Sequence, residues 1–295
     1  MPQKAVVLGA GGQLGVELVR ELETRGYAVT KWDRHSLDIT NAAAVESALA
    51  ASEADVVYNS AAYNQVDVAE TEPLAALQVN GIGVRNLALA CRQIDARLIH
   101  FSTDYVFDGQ ATQPYTEDTP THPLSAYAVS KLTGELYAQA YLERPLVVRT
   151  CGVFGPGGLH TARGNFVELM LRLAGSGRPI RVVEDHIASP TFAPWLASRT
   201  IDLAERNQSG VFHVGGGTPI SWFEFARMIF EVAAIKPELM ATNEREYRTA
   251  ARRPKYSAIS NAKMERAGIA AMPPLRHAVE TYFAQRQPSY SGSRV

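Results

Sequence analysis

The sequence is poor in cysteine, and this scarcity excludes two kinds of stabilised scaffold. Its 295 residues include two cysteines, Cys91 and Cys151, which lie far apart and belong to no CxxC element. Two such thiols provide neither a disulfide framework nor a zinc site. No pair of histidines has a metal-ligand spacing such as H-E-x-x-H. We therefore expect two reduced cysteines and predict no metal site.

An excess of charge and a long apolar run are also absent. The 29 basic and 30 acidic side chains nearly cancel, so the chain has no electrostatic footprint for nucleic acid or an anionic membrane. No charged and then apolar leader precedes Lys4, and no apolar run approaches the roughly 20 residues that span a bilayer. We expect a cytoplasmic protein without a nucleic-acid or membrane partner.

What is present is a regular alternation of apolar runs and helical patterns. The runs are rich in Val, Ile and Leu with little polar alternation, which is typical of strands covered on both faces. They are Lys4–Ala10, Tyr27–Asp33, Asp55–Ala61, Arg97–Thr103 and Leu146–Gly155. The helical patterns between them are Gln13–Arg25, Asn41–Ala51, Pro73–Ile94 and Ala126–Tyr141. This order predicts an α/β fold with a Rossmann-type doubly wound parallel sheet.

A glycine loop follows the first predicted strand and opens a helix. In Gly9-Ala-Gly-Gly-Gln-Leu-Gly15, the residues Gly9, Gly12 and Gly15 are spaced three apart. Such a loop needs a tight turn, close backbone approach to a pyrophosphate and close packing of helix on strand, and glycine serves all three. The free N–H groups at the helix start then attract the phosphates. The position of the loop predicts a dinucleotide site.

The end of the second predicted strand gives conflicting signals about which dinucleotide binds. Asp33 could accept hydrogen bonds from the ribose hydroxyls, which favours NAD. Arg34 could hold a 2′-phosphate, which favours NADP. We therefore predict NADPH or NADH without a preference. Asp38 and Ile39 close the next turn, either as a plain cap before Asn41 or as residues that bind near the adenine.

A candidate catalytic group combines a helix with the end of a strand. Tyr127 and Lys131 form Y-x-x-x-K in a helical pattern, and residues four apart share a helix face. An unperturbed tyrosine has a pKa near ~10, so it needs a cationic neighbour to exchange protons at neutral pH. Thr103 ends a predicted strand on the side where doubly wound folds bind ligands, so its hydroxyl could orient a substrate carbonyl.

These motifs together resemble the extended short-chain dehydrogenases, and longer segments resemble the dTDP-4-dehydrorhamnose reductases. The most specific segment is Phe101-Ser-Thr-Asp-Tyr-Val-Phe-Asp-Gly109. The other similar segments follow in order between residues 4 and 285, so the resemblance covers nearly the whole chain. They are Asn59–Glu70, Tyr115–Asp118, Asn165-Phe166, Ser189–Thr191, Gly216–Thr218 and Arg252–Pro254.

The resemblance implies NAD(P)H-dependent reduction of the 4-keto group of a nucleotide-linked 6-deoxy sugar. The expected reaction converts dTDP-4-dehydro-L-rhamnose to dTDP-L-rhamnose, a precursor of cell-surface polysaccharide. Tyr127 would protonate the C4 oxygen, Thr103 would assist through a hydrogen bond, and Lys131 would tune Tyr127 and bind the nicotinamide ribose. The cofactor residues implied besides the glycines are Gln13, Leu14, Ala61, Ala62 and Tyr63. Asn80 is a further candidate for the cofactor site, and its amide is expected to support the active-site backbone.

The resemblance also points to substrate residues, and two of them have structural alternatives. Asp104 would lie against the sugar. Arg253 would clamp the diphosphate, with an exposed surface arginine as the alternative. Asn165 would contact the diphosphate or simply cap the following helix. Some family members are said to use magnesium at a dimer interface, and Glu17 is the first acidic residue to examine for it; a homodimer is compatible with the sequence.

Two departures from the family pattern concern the identity of the sugar more than the type of reaction, and a third concerns a phosphate or base contact. Gly152 stands where the family often has a tryptophan, which removes a large sugar-facing surface. Asp185-His186 replaces an Asp-Gln pair, and Arg253-Pro-Lys-Tyr-Ser257 departs from R-P-x-N-S. The aromatic residues of Trp222–Phe225 have helical spacing and are predicted to be core.

Other functions remain open on the same fold. Dehydratases resemble T-D-E after the fourth strand, whereas this chain has Thr103-Asp104-Tyr105, which disfavours dehydration. Another nucleotide-sugar ketoreductase, an epimerase, or a non-catalytic NADP-binding subunit resembling the methionine adenosyltransferase regulatory subunits are the alternatives.

The pattern loosens after residue 155 and predicts a second, smaller unit. It contains helical segments Asn165–Gly175, Trp195–Arg206, Ser221–Ala233 and Leu275–Gln285 and strands Arg181–Asp185 and Val211–Val214. We assign residues 1–155 to an NAD(P)-binding Rossmann domain, completed by a strand returning near residues 181–190. Residues 156–286 form mainly a C-terminal substrate-binding α/β lobe, and residues 287–295 are a predicted disordered tail.

Overall fold

The structure, a computed structural model, describes residues 2–161 and 164–286. The predicted tail, residues 287–295, lies outside the described residues. The strands are β1 (Lys4–Leu8), β2 (Ala28–Trp32), β3 (Val56–Asn59), β4 (Arg97–Thr103), β5 (Leu146–Thr150), β6 (Val153–Phe154), β7 (Ile180–Val183), β8 (Ile187–Ala188), β9 (Thr191–Phe192), β10 (Gly210–His213), β11 (Ile220–Ser221) and β12 (Leu239–Thr242).

The α-helices flank these strands in the same chain order. They are α1 (Gln13–Thr24), α2 (Ala42–Ser52), α3 (Pro73–Leu77), α4 (Gly83–Gln93), α5 (Ala126–Tyr141), α6 (Phe166–Ala174), α7 (Ala193–Glu205), α8 (Trp222–Val232), α9 (Ala262–Arg266) and α10 (Leu275–Gln285). A π-type turn, Gln78–Ile82, joins α3 to α4, so the predicted helix Pro73–Ile94 is one continuous element.

The main sheet has six parallel strands in the order β10-β5-β4-β3-β1-β2. Alternate residues of a strand face opposite sides of a sheet. Val7 accordingly packs among residues of α1 and α7 on one face, while Val6 packs among residues of α2, α4 and α5 on the other. The predicted doubly wound parallel fold is confirmed. Strand order reverses between β1 and β3, which is where such sheets bind ligands.

The helical stretch Pro73–Gln93 is long and apolar enough to cross a membrane by length and composition alone. However, 56% of its most apolar window is buried inside the protein. The buried residues Val84, Leu87 and Cys91 pack beneath the sheet with α2 and α5. Its apolar character is therefore explained by its place in the core.

The C-terminal lobe is held by an aromatic core rather than by a large sheet. Four aromatic side chains at its centre are almost fully buried: Phe154, Phe192, Phe225 and Tyr282. The ring centroids of the other three lie 5.4 to 6.1 Å from that of Phe154. The strands here form three separate pairs: β12 with β7, β11 with β8, and β6 with β9. The lobe therefore depends on contacts between segments that are distant in sequence.

Three predictions about the strands need correction. The strand that returns to the Rossmann sheet is β10, which pairs with β5, whereas the segment near residues 181–190 belongs to the lobe. β7 alternates buried and exposed residues and pairs with β12, so it lacks the two covered faces of a central strand. β2 was predicted to be buried, but it is an edge strand with exposed residues. The predicted strand Leu146–Gly155 is interrupted at Gly152, where φ is +49°.

Candidate active site

Two adjoining cavities run along the carboxyl ends of the parallel strands. One, of about 490 Å³, is lined by Thr103, Asp104, Tyr127 and Lys131 as well as by the glycine loop. The other, of about 740 Å³, extends from the loop towards the end of β2. The two cavities share Gly12, Ser60, Ala61, Ala62, Asn64 and Gln65. They form one continuous groove of the size that cofactor sites have.

The glycine loop is closed so tightly that side chains would not fit. A Cβ atom at Gly9, whose φ is +71°, would lie 2.8 Å from the Ala61 nitrogen. A Cβ at Gly15 would lie 2.1 Å from the Gly9 carbonyl oxygen. The Gly12 N–H donates to the same oxygen at 2.8 Å, and α1 begins at the next residue. The backbone at the start of α1 can thus approach a pyrophosphate closely, so the loop fits a dinucleotide.

Every other predicted cofactor residue except Asn80 lines the same groove. Gln13 and Leu14 line the end of the groove near Tyr127. The end near β2 is lined by Asp33, Arg34, Asp38, Ile39, Ala61, Ala62 and Tyr63. Asp33 Oδ1 accepts hydrogen bonds from the N–H groups of His35 and Ser36, which lower the pKa of the carboxyl. The Asp33 carboxylate therefore stays ionised beside Arg34. The residue that favours NAD and the residue that favours NADP both line one cavity.

Asp38 does not cap α2. Its Oδ1 accepts from the Thr40 N–H and hydroxyl at 2.9 and 2.8 Å, closing a turn. The cap is Asn41, whose side chain accepts from the Ala44 N–H. Ile39 is buried, and Asn86 of α4 donates to its carbonyl oxygen at 3.0 Å. The helix-cap alternative for Asp38 is wrong.

Asn80 supports the groove from behind and is 1% exposed. Its Oδ1 accepts from the Tyr63 N–H at 2.8 Å, and its Nδ2 donates to the Tyr63 carbonyl at 3.0 Å and to Ser130 Oγ at 2.9 Å. Asn80 therefore fixes the groove wall to α5 through its amide, as predicted, but lies outside the lining of the groove. It is a positioning residue for the groove wall, and its assignment as a cofactor contact stays a prediction.

Tyr127 and Lys131 lie in the first turns of α5, which is capped by Ser125. Both side chains are buried, and the Lys131 ammonium donates to the Phe101 carbonyl oxygen at 2.7 Å. Burial lowers the pKa of Lys131 to about 8, although nearby Glu135 opposes the change. A buried cation on the same helix face as the phenol favours loss of the phenolic proton.

Thr103 and Asp104 follow the buried end of β4. Thr103 Oγ1 accepts from the Tyr105 N–H at 3.2 Å and lies 3.2 Å from Asp104 Oδ1. Asp104 Oδ2 accepts from the Cys151 thiol at 3.0 Å. Burial raises the pKa of Asp104 to about 6, while the thiol and the hydroxyls of Ser257 and Thr103 lower it by a smaller amount. The carboxyl is held rigidly beside Thr103.

A buried ion pair beneath the catalytic helix escaped the sequence analysis. Arg149 of β5 donates through Nη2 to Glu135 Oε2 at 2.7 Å and through Nε to Oε1 at 3.0 Å. Ser102 Oγ also donates to Glu135. These contacts tie α5 to β4 and β5. No motif signalled them, because the partners are brought together by the sheet order.

Cys151 and Cys91 are both buried and unpaired, in agreement with the prediction of free thiols.

A third cavity, of about 630 Å³, lies between the Rossmann sheet and the lobe. Four arginines, Arg245, Arg248, Arg252 and Arg253, line it together with Tyr105, Phe166, His186 and Trp222. Arg253 is not a free surface side chain. It forms a bidentate pair with Asp67, with N–O distances of 3.0 and 2.8 Å. Neither Asp67 nor Trp222 was identified as a site residue. Asp67 lies in the similar segment Asn59–Glu70 without an assigned role, and Trp222 was predicted to be core.

Asn165 is the N-cap of α6 and lines none of the three cavities. Its Oδ1 accepts from the Glu168 N–H at 3.1 Å. Its Nδ2 donates to the Gly155 carbonyl at 3.2 Å. The capping alternative is confirmed, and the amide is fully engaged within the protein.

Two acidic sites, the single residue Glu17 and a cluster in the lobe, already contact other groups of the protein. Glu17 accepts from the Gly157 N–H at 3.1 Å and from Arg20 at 3.0 Å, so it anchors α1 to the turn after β6. In the described part of the chain, Asp185, His186 and Glu244 also have metal-ligand proximity. The Lys255 ammonium lies 3.2 Å from Glu244 and 3.7 Å from Asp185 there. This single cation offsets one of the two carboxylate charges in the cluster.

Comparison with known proteins gives consistent matches over nearly the whole chain. The RmlD substrate binding domain family matches residues 3–287. The chain is 40% identical to the spore coat polysaccharide biosynthesis protein SpsK of Bacillus subtilis over 90% of its length and 92% of that protein. It is 39% identical to a dTDP-4-dehydrorhamnose reductase of Streptomyces griseus over 92% of its length and 89% of that protein.

A crystal structure of dTDP-4-dehydrorhamnose reductase from Bacillus anthracis in complex with NADP superposes with a TM-score of 0.92. The two chains are 34% identical, and the alignment covers 97% of this chain and all of that one.

Proposed function

This chain belongs to the dTDP-4-dehydrorhamnose reductase family, and on that premise we propose that it reduces the 4-keto group of a nucleotide-linked 6-deoxy sugar with NADPH or NADH. The proposed reaction converts dTDP-4-dehydro-L-rhamnose to dTDP-L-rhamnose. One observation carries the proposal: Thr103, Tyr127 and Lys131 line a cavity that is continuous with the glycine-loop groove. The reacting carbonyl and the cofactor can therefore meet in one enclosed site.

When bound, the dihydronicotinamide supplies a hydride to the keto carbon. The residues of this chain then handle the proton and the geometry. Tyr127 donates its phenolic proton to the carbonyl oxygen, which becomes the new hydroxyl. The Lys131 ammonium stabilises the resulting phenolate until solvent returns a proton. Thr103 orients the carbonyl by a hydrogen bond, and Asp104, held by Cys151, lies against the sugar.

The diphosphate of the substrate has a natural place in the arginine-lined cavity. Guanidinium groups bind phosphate oxygens bidentately. Arg253 reaches the cavity from the segment that also packs on Tyr105, next to the catalytic cavity. Asp67 keeps this guanidinium oriented before the substrate arrives. A divalent metal has no step in this scheme.

Dehydration is disfavoured by the residue that follows Asp104. Tyr105 stands where a dehydratase has a glutamate, and its ring packs edge-on against Tyr127 with a centroid distance of 6.2 Å. Burial raises the pKa of Tyr105 above its ordinary value, so the phenol stays protonated and cannot replace the glutamate as a base. Epimerisation and a purely regulatory role are distinguished by turnover. An epimerase regenerates its cofactor, and a regulatory subunit binds it without oxidising it.

The test follows the absorbance of NADPH, and separately of NADH, with dTDP-4-dehydro-L-rhamnose as substrate. We expect one reduced nicotinamide to be consumed for each dTDP-L-rhamnose formed. Interconversion of sugars without net cofactor loss would indicate an epimerase. Tight NADPH binding with no oxidation by any 4-keto sugar nucleotide would indicate the regulatory role. A cytoplasmic location is part of the proposal, since the substrate and cofactor are metabolites of that compartment.

A further inference from the structure

The residue at the end of β5 leaves a gap that another element fills. Gly152 lines the catalytic cavity with Thr103 and Tyr127. A Cβ atom at this position would lie 3.0 Å from Cη2 and 3.6 Å from Cζ2 of the Trp222 indole. The φ of Gly152 is +49°, a backbone conformation that residues other than glycine rarely adopt. The space beside the backbone at 152 thus belongs to the indole of Trp222.

Trp222 also faces the arginine-lined cavity. It is half-buried, and its ring lies 4.7 Å from that of Phe166, which lines the same cavity. The backbone N–H of Trp222 donates to the His186 carbonyl at 3.2 Å, which fixes the start of α8 against the segment between β7 and β8. The indole is therefore supported from two sides and lies at the boundary between Gly152 of the catalytic cavity and the arginine-lined cavity.

From this position we propose that Trp222 is the residue on which the sugar ring of the substrate packs, and that it sets the sugar specificity of this enzyme. The inference rests on the proposed function. The reacting carbonyl must reach Tyr127 while the diphosphate reaches the arginines, so the sugar itself crosses the boundary that Trp222 forms. A 6-deoxy sugar presents a methyl group and C–H bonds, and an indole offers them a large apolar surface.

The proposal also explains why glycine is suited to position 152. The resemblance to the family leads one to expect a tryptophan there, projecting from the end of β5. In this chain the aromatic surface comes from the first turn of α8, and a large side chain at 152 would collide with it. A side chain at 152 would therefore compete with Trp222 for one space.

The first test measures binding of dTDP-L-rhamnose and of dTDP to the whole protein by calorimetry, together with KM and kcat. Trp222→Ala is expected to weaken dTDP-L-rhamnose binding and raise KM by about 10-fold, the usual scale of a lost apolar contact. Binding of dTDP and of NADPH is expected to stay within about 2-fold, because neither contacts the indole. Trp222→Phe should lose less than Trp222→Ala.

Phe223→Ala is the matched control, since Phe223 neighbours Trp222 in α8 but packs in the aromatic core and lines none of the three cavities. It is expected to lower the melting temperature without changing the preference for dTDP-L-rhamnose over dTDP. Equal weakening of dTDP and dTDP-L-rhamnose by Trp222→Ala would place the indole on the nucleobase and overturn the proposal. Unchanged binding of both would overturn it as well.

A second test exchanges the two positions. Gly152→Trp alone is expected to abolish sugar binding through collision with Trp222. The double variant Gly152→Trp, Trp222→Ala is expected to bind dTDP-L-rhamnose more tightly than Gly152→Trp does. If the double variant binds no better, the two positions do not share one surface. Failure of the proposed function gives a different result: wild-type protein that never oxidises NADPH, whatever the binding data show.

Discussion

The cofactor side and the substrate side of the site are built in opposite ways. The cofactor groove is made of short segments that each follow a parallel strand, with the backbone of the glycine loop at its centre. The arginine-lined cavity is assembled from segments distant in sequence, such as Asp67, Phe166, Trp222 and Arg253. The first needs particular glycines and hydroxyls at fixed places. The second needs only that long side chains converge.

The two sides also differ in how deeply their ion pairs are buried. Behind the catalytic helix, Glu135 and Arg149 are 0% and 6% exposed. In the cavity of the lobe, the side chains of Asp67 and Arg253 are 42% and 22% exposed. Buried charges hold one geometry because leaving a partner unpaired is costly, whereas partly exposed pairs can rearrange. We therefore expect the rigid side to fix the type of reaction and the other side to accommodate different sugars.

The largest expected effect comes from breaking the buried ion pair of the rigid side. Arg149→Met leaves the Glu135 carboxylate buried without its partner, and the free energy of unfolding should fall by about 3–5 kcal/mol. Urea denaturation measures it. Arg276→Ala is the control, because Arg276 pairs with Glu231 on the surface of the lobe, where about 0–1 kcal/mol is expected. Adding Glu135→Leu to Arg149→Met should restore part of the loss; a further loss would contradict this explanation.

The next effect separates chemistry from cofactor binding. Tyr127→Phe removes the proton donor and should lower kcat by at least ~100-fold. The NADPH dissociation constant, measured by fluorescence, should change little, since the glycine loop and its neighbours are untouched. A variant with near wild-type kcat would show that another group protonates the oxygen.

A smaller effect concerns the adaptable side. Arg253→Ala should raise KM for the nucleotide sugar by about 10-fold, the scale of one charge-assisted contact, and leave kcat largely unchanged. Asp67→Asn keeps the guanidinium in place and should change KM by no more than about 3-fold. Steady-state kinetics on both variants tests the comparison. Equal losses in the two would mean that the ion pair matters for folding rather than for the diphosphate.

The smallest effect is a pH dependence. Because burial lowers the pKa of Lys131 to about 8, the ammonium that assists Tyr127 is present below that pH and is lost above it. The rate at pH about 8 should be half its plateau value and should decline further at higher pH. Between this pKa and the ordinary 10.5, the folded state binds fewer protons than the unfolded chain, so Lys131 adds stability as pH rises. A flat profile of kcat/KM to pH about 10 would contradict the assignment.

The elements that sequence patterns predicted best are those that local rules govern. The strand Arg97–Thr103 agrees with the structure at both ends, and the helix Ala126–Tyr141 does so too. The errors fall where pairing partners decide. β7 and β10 are both short apolar segments, yet only β10 lies beside β5, because neighbours in the sheet depend on the path of the whole chain. The sequence left a ligand contact and a helix cap as alternatives for both Asn165 and Asp38. Only the hydrogen-bond partners of each residue showed whether it caps a helix.

The sequence by itself determined the dinucleotide groove and the catalytic group, because the glycine spacing, the strand ends and the helical repeat of Tyr127 and Lys131 act over a few residues. Only the tertiary structure decided what faces the sugar. Asp67 meets Arg253, and Trp222 meets Gly152, across long stretches of chain. No local pattern encodes such meetings, since they follow from how the lobe packs on the sheet.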